Sequence, residues 1–300
     1  MIAEEAQVVT QARSGGKIRD YAAFIKLRLS ALVVFSAVIG YFIGTESTGM
    51  VDWTRLCMLI LGGFLVTGAS NGFNQVIERD FDKLMSRTQS RPLPQGRMSV
   101  NEAVILAAAM GLIGISLLTY FTNPMSGILG ALALIGYTLF YTPLKRATPF
   151  AVFVGAFPGA IPAALGWVAS TEGFGYIGFP ALVLFGVQFV WQFPHFWAIA
   201  WVMDEDYKKA GFQMLPSGMR DKASAFQTLV YTLFLLPISL APVAFGISGT
   251  ASAIVIIICG AYFAWQAYVL YRDCTVKAAQ ALMFGSFIYL PVVQLAIMLG

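Results

Sequence analysis

Charge is scarce in this 300-residue chain. Only 11% of its residues are Asp, Glu, Lys or Arg, and 58% are hydrophobic, with a mean hydropathy of +0.74. A soluble domain carries about 25% charged residues, so a soluble globular fold is excluded. Cysteine is sparse too: Cys57, Cys259 and Cys274 are scattered with no Cys-x-x-Cys, which excludes a disulfide framework and a cysteine metal site. Histidine is reduced to one residue, His195. The first 20 residues lack an apolar run, so they are not read as a cleaved signal peptide. They are expected to form a mobile cytoplasmic tail, with 21–300 as a single membrane domain.

What is abundant is long apolar sequence. A helical span needs about 20 mostly apolar residues. Nine stretches qualify, at about 25–45, 55–77, 100–121, 125–142, 149–169, 177–203, 223–247, 250–271 and 278–299, with ends uncertain by a few residues. Lysines and arginines orient them. Arg13, Lys17, Arg19, Lys26 and Arg28 precede or open the first span. The rest cluster in alternate loops, at Arg79–Arg97, Lys145–Arg146, Lys208–Lys222 and Arg272–Lys277. Arg55 alone falls on the other side. A cytoplasmic N-terminus and an outer C-terminus account for this distribution. The same topology explains the pI of 8.9, so no nucleic-acid partner is implied. The basic rim suits anionic lipid or an anionic substrate.

Polar residues interrupt the second span at Asn74, Glu78 and Asp82. Their i, i+4, i+8 spacing puts them on one helix face, and Asn71 falls close to it. Intramembrane ionisable groups are functional candidates by default. Arg87, Thr88, Arg91 and Pro92 follow at once. Oxygen ligands beside arginines suit a magnesium-bound phosphate ester, with Arg87 and Arg91 as phosphate contacts. Asp80 points to the opposite face and is expected to pair with an arginine at the helix end or in the loop. A solvated helix end is the plainer reading, but Asn71 and Asn74 lie too deep for it.

A second set runs Gln188, Gln192, His195, Asp206, within about 60° of one helix face if the helix continues. Pro194 is expected to kink that span. His195 has two readings, a structural hydrogen-bonding residue or a base or ligand. The segments Asp80–Gly96 and Asp204–Gly218 look alike. Each has paired carboxylates, an aromatic, a lysine, then Leu-Pro-x-Gly. This suggests a weak parallel repeat and two acidic helix ends facing one cavity. The small residues of span five (Gly155, Gly159, Gly166 and neighbours) mean close packing or a substrate cavity beside a broken helix. Among the aromatics, which include Tyr137, Tyr141, Phe196 and Trp197, some are candidates to line a carbocation pocket.

These segments carry a family resemblance. Asn74-Gln-Val-Ile-Glu78-Arg-Asp80-Phe-Asp82 followed by Met85-x-Arg87-Thr88-x-x-Arg91-Pro92 resembles the intramembrane prenyltransferases of the UbiA superfamily. Tyr141–Arg146, Pro162-x-x-x-Gly166-Trp167, Pro194-His195-Phe196-Trp197 and Asp206-Tyr207-x-x-Ala210-Gly211-x-x-Met214-Leu215-Pro216 extend the likeness, and point to its heme-farnesylating branch. Glu78 stands where many relatives carry aspartate, and Ala151 where many carry asparagine, so that asparagine's role is not carried over.

The resemblance implies an all-α bundle of nine transmembrane helices with a cytoplasm-facing cavity in a bacterial cell membrane. It implies transfer of the farnesyl group of farnesyl diphosphate to a vinyl group of heme B, with water added, giving heme O. Asn74, Glu78, Asp82 and Asp206 are then expected to hold Mg²⁺. Arg87, Arg91, Lys145 and Lys208 are expected to take the diphosphate, and His195 to orient heme or water. Implied partners are membrane lipid and a heme A synthase or terminal-oxidase assembly. Two rivals stay open, a prenyltransferase acting on a quinone-type ring and a heme or lipid transporter without chemistry.

Overall fold

A computed structural model describes residues 16–46 and 49–300. Most of the expected N-terminal tail lies outside these residues, but Lys17–Phe24 forms a short helix, α1. Nine further helices among the described residues are long and apolar enough to cross a membrane. They are α2 (Leu27–Thr45), α3 (Trp53–Asp82), α4 (Val100–Thr122), α5 (Pro124–Leu144), α6 (Ala151–Ala169) and α7 (Phe179–Val202). After α8 (Asp204–Lys209) come α9 (Lys222–Ala244), α10 (Thr250–Asp273) and α11 (Val276–Leu299). The spans match the hydropathy reading within a few residues, except that α3 runs on through the whole acidic ladder.

Capping side chains explain several of the starts. Asp52, Ser99, Asn123, Asp221 and Thr275 each accept a backbone N–H from the first turn of the helix that follows, satisfying a donor with no intrahelical partner. Chemistry at the far end is sparse: Arg55 binds Glu172 at 2.7 Å and Asp52 at 3.3 Å.

Close packing settles the small residues of α6. A Cβ on Gly166 would sit 1.9 Å from the Ala37 carbonyl oxygen, and one on Gly40 would sit 2.1 Å from that of Ala163. Helices α2 and α6 therefore touch backbone to backbone, as small residues permit in lipid. Helix α6 is continuous across Pro158 and Pro162, and α7 is continuous across Pro194. No helix break makes a cavity there.

A chain of buried amides joins four spans. Ser36 Oγ donates to Gln294 Oε1, Gln294 Nε2 to Gln188 Oε1, and Gln188 Nε2 to the Gly159 carbonyl, at 3.1, 3.0 and 2.8 Å. Gln192 Nε2 donates to the Ala156 carbonyl at 3.0 Å. In lipid every such group must find a partner inside the protein.

The two repeat segments share one turn. Gly96 N–H bonds the Leu93 carbonyl and Gly218 N–H that of Leu215. Both glycines are left-handed, at φ 69° and 83°, a conformation a side chain disfavours. A capping residue follows three positions later in each, Ser99 and Asp221.

Candidate active site

Helix α3 delivers the first acidic set as its spacing predicts. Asn74, Glu78 and Asp82 are 1%, 5% and 0% exposed, while the Asp80 side chain is 61% exposed and paired with Lys83 and Arg79. One face of the helix carries the site and the other meets water.

Each group on that face has a defined partner. Asn74 Nδ2 donates to Thr142 Oγ1 at 3.3 Å, and that hydroxyl donates onward to the Tyr137 carbonyl. With its N–H so engaged, the Asn74 carbonyl oxygen remains an acceptor. Glu78 binds Lys145 at 2.8 Å. Burial favours a neutral Lys145, but the Glu78 carboxylate overcomes it and holds the ammonium above the ordinary lysine value. Its Nζ also lies 4.7 Å from the centre of the Tyr141 ring. Asp82 Oδ2 takes Arg91 at 2.6 Å, while Asp82 Oδ1 is buried with no hydrogen-bond partner.

Asp206, on α8, is bound to the loop that follows α3. Ser86 Oγ donates to it at 2.7 Å, the Arg87 amide at 3.2 Å and Lys209 Nζ at 3.1 Å. The Ser86 hydroxyl, with Lys209 and the Arg87 amide, holds the carboxyl well below the usual carboxylate range against a smaller opposing effect of burial. The acidic ends of α3 and α8 are thus tied to one loop. Thr88 Oγ1 anchors that loop on the Asp82 carbonyl at 3.0 Å. Arg146 stacks on Phe81 at 4.1 Å, Phe81 meets Phe212 edge-on, and Gln213 N–H bonds the Lys145 carbonyl at 2.7 Å. Three loops are packed into one rim.

The segment after Asp82 is a series of turns. Arg91 folds back onto Asp82, while Arg87 contributes its amide to Asp206 and keeps its guanidinium exposed. Lys208 does not join the rim. It binds Asp204 at 2.8 Å in a separate cluster with Arg220, whose guanidinium also caps the Trp201 and Val202 carbonyls.

The second polar set does not form one functional face, because helix α7 ends at Val202 and Met203 interrupts it before Asp206. His195 packs against α11. Its Nδ1 is 2.7 Å from Ser286 Oγ on α11, and its ring stacks on Trp191 at 4.3 Å. Burial between two spans favours the structural reading of this histidine over a catalytic one. The aromatics that do adjoin the acids are Tyr141, with Tyr137 at 5.1 Å and Phe196 at 6.4 Å between ring centres.

Among the described residues, no three His, Cys, Asp or Glu side chains form a ready-made metal cage. The donor set nevertheless fits a hard cation. Asp82 Oδ1 is an orphaned buried carboxylate oxygen, which is costly unless something binds it. The Asn74 carbonyl lies two helical turns before it on the same face, with Glu78 between them. Few protein oxygens and several waters are what Mg²⁺ takes.

Sequence reasoning missed Ser86 and Thr142, which hold Asp206 and Asn74. Neither stands out by residue type.

Residues 33–289 match the UbiA prenyltransferase family. The chain is 48% identical over 284 residues to a protoheme IX farnesyltransferase of Cytophaga hutchinsonii, covering 94% of this chain and 98% of that one. It is 46% identical to one of Flavobacterium psychrophilum, covering 93% of each. Among solved structures, digeranylgeranylglyceryl phosphate synthase superposes with a TM-score of 0.78 at 22% identity, covering 95% of this chain and 98% of that one. A UbiA homolog from Archaeoglobus fulgidus bound to GPP and Mg²⁺ superposes with a TM-score of 0.65 at 14% identity, covering 93% and 99%. With its nine spans and acidic α3 face, the chain belongs to the UbiA prenyltransferase family.

Proposed function

We propose that this protein transfers the farnesyl group of farnesyl diphosphate to a vinyl group of heme B, with addition of water, to give heme O. The observation that carries a diphosphate substrate is Asp82, with one oxygen on Arg91 and one orphaned, beside the Glu78–Lys145 pair. The choice of heme as acceptor is supported by relatives named protoheme IX farnesyltransferase over nearly the whole chain.

Asn74, Glu78, Asp82 and Asp206 are the residues that would hold Mg²⁺. Asp206 keeps lone pairs for it beyond those given to Ser86, Arg87 and Lys209. Bound there, Mg²⁺ supplies positive charge toward the leaving diphosphate. Arg91 and Lys145 add fixed cations on the same side, placed before reaction and so needing little reorganisation, and the exposed Arg87 guanidinium adds a third charge. The allylic C1–O bond breaks, its electron pair leaves with the diphosphate, and the vinyl carbon bonds to C1. Water captures the resulting cation and gives up a proton. The Tyr141, Tyr137 and Phe196 rings flank the position where positive charge develops and stabilise it through their faces. Lys208, bound to Asp204, and His195, bound to Ser286, are given no step in this reading. The charged rim is read as cytoplasmic, which places farnesyl diphosphate entry on that side. Further partners, a heme A synthase or oxidase assembly, follow from heme O as the product.

Inverted membrane vesicles given heme B, farnesyl diphosphate and Mg²⁺ are expected to yield heme O by mass analysis, and right-side-out vesicles none. A prenylated quinone precursor with no heme O would overturn the acceptor, and product from right-side-out vesicles alone would overturn the orientation.

A further inference from the structure

Asp82 and Asp206 are placed in different ways. Helix α3 runs unbroken through Asp82, so its own hydrogen bonds set where that carboxylate stands. Helix α7 ends at Val202, and Met203, at φ −96° and ψ 9°, separates it from α8. Asp206 sits on α8, a helix of six residues, too short to hold a direction by its own bonds. Something outside α8 must set the angle at Met203.

Arg220, just before α9, reaches both sides of that joint. Its Nε donates to the Trp201 carbonyl at 2.6 Å and its Nη2 to the Val202 carbonyl at 3.3 Å. Carbonyls at a helix C-terminus have no intrahelical partner, and a cation there also suits the helix dipole. The same guanidinium faces the first turn of α8, with Nε 3.6 Å from Asp204 Oδ2 and Nη1 3.3 Å from Glu205 Oε1. Asp204 is buried, whereas the Glu205 side chain is exposed, so that pair adds little. A planar fork can serve two helices at once, which the point charge of a lysine cannot. The turn that presents Arg220 is tied down in its own right. Ser217 Oγ and the Ser224 N–H both donate to Asp221 Oδ1 at 2.8 Å, and Ser224 Oγ donates to the Met219 carbonyl at 3.0 Å.

Asp204 and Asp206 are two residues apart, so they leave α8 on opposite sides. Arg220 takes the first side, and Ser86 with the Arg87 amide takes the second. The counterpart of Asp204 in the first segment, Asp80, faces water with Lys83 and Arg79. There helix continuity makes such a clamp unnecessary.

We infer that Arg220 is the positioning residue of Asp206. Through the last carbonyls of α7 and through Asp204 it sets how α8 leaves α7, and so turns the Asp206 carboxylate toward the loop after α3. The inference rests on the reading above in which Asp206 helps to hold Mg²⁺ for the diphosphate.

The test is calorimetric binding of inorganic pyrophosphate, in the presence of Mg²⁺, to the full-length protein in detergent. Arg220→Met is expected to weaken binding about 10–100-fold, as loss of a partner that orients a metal ligand does. Arg220→Lys, which keeps the charge without the fork, is expected to recover part of that loss. Asp206→Asn is expected to weaken binding at least as much as Arg220→Met. The double variant is expected to be no weaker than Asp206→Asn, because Arg220 acts through Asp206. Thermal unfolding checks that each variant keeps its fold. If Arg220→Met does not fold, Arg220→Lys alone and combined with Asp206→Asn gives the same two comparisons. Wild-type affinity in the Arg220 or the Asp206 variant, or additive losses in the double variant, overturns the inference while the diphosphate reading, carried by Asp82, stands. Absence of pyrophosphate binding by the wild type overturns both.

Discussion

Asp82 shows how much a single residue can carry. Its position was legible in the sequence because a carboxylate eight residues after Asn74 returns to the same face. Its orphaned oxygen was not legible, since that depends on Arg91 folding back through a run of turns. Lys26 was the reverse. Its charge was plain, but nothing in Ile-Lys-Leu-Arg announces the left-handed backbone, at φ 50°, that separates α1 from α2. Asn71 and Gln75 of α3 bond the Ile25 and Phe24 carbonyls beside it, from 46 and 51 residues away in sequence. Its titration gives a pH prediction. A lysine held at about 7 in the fold, against about 10.4 unfolded, binds fewer protons folded than unfolded between those values. Stability therefore rises with pH across that window. Lys26→Met removes the titrating group. It is expected to unfold at a higher temperature than wild type at pH 6.5, with the gap narrowing toward pH 9.5. A gap independent of pH would show that Lys26 is not held in this way.

At the scale of elements, α3 and α7 make an instructive pair. Both carry polar side chains at helical spacing. On α3 the helix persists to Asp82, so periodicity brought Asn74, Glu78 and Asp82 to one face. On α7 it stops at Met203, so extrapolating eleven residues to Asp206 failed. Asp206 is instead tied to the loop after α3 by Ser86 and the Arg87 amide. Gln188, Gln192 and His195 instead satisfy carbonyls and hydroxyls of α6 and α11, as lipid surroundings demand. Small residues on α6 were ambiguous in sequence between cavity and contact. Backbone contact with α2 resolves them, because only the partner's position tells the two apart. Gly166→Val is expected to cost about 1–3 kcal/mol through overpacking against Ala37, read as a lower unfolding temperature in detergent. An unchanged temperature would mean that α2 and α6 stand farther apart.

Over the whole molecule, hydropathy and cation placement gave nine spans and a charged end, because the bilayer sets span length and excludes charge. The repeated Leu-Pro-x-Gly turns were legible for the same kind of reason, since a left-handed glycine leaves a local signature. How the loops close over one another was not legible. It depends on pairs far apart in sequence, such as Asp206 with Ser86 and Lys145 with Glu78. The result is a bundle whose interior is tied by amides and whose charged end gathers acids and cations into one rim. Everything proposed for this protein depends on the acids of that rim acting on a prenyl diphosphate. The most direct test is the rate of pyrophosphate release from farnesyl diphosphate, with heme B and saturating Mg²⁺, by folded Glu78→Gln and Asp82→Asn variants. Each is expected to lose about 10²–10³-fold in rate while inserting and unfolding like the wild type. Wild-type rates in either variant would contradict the account.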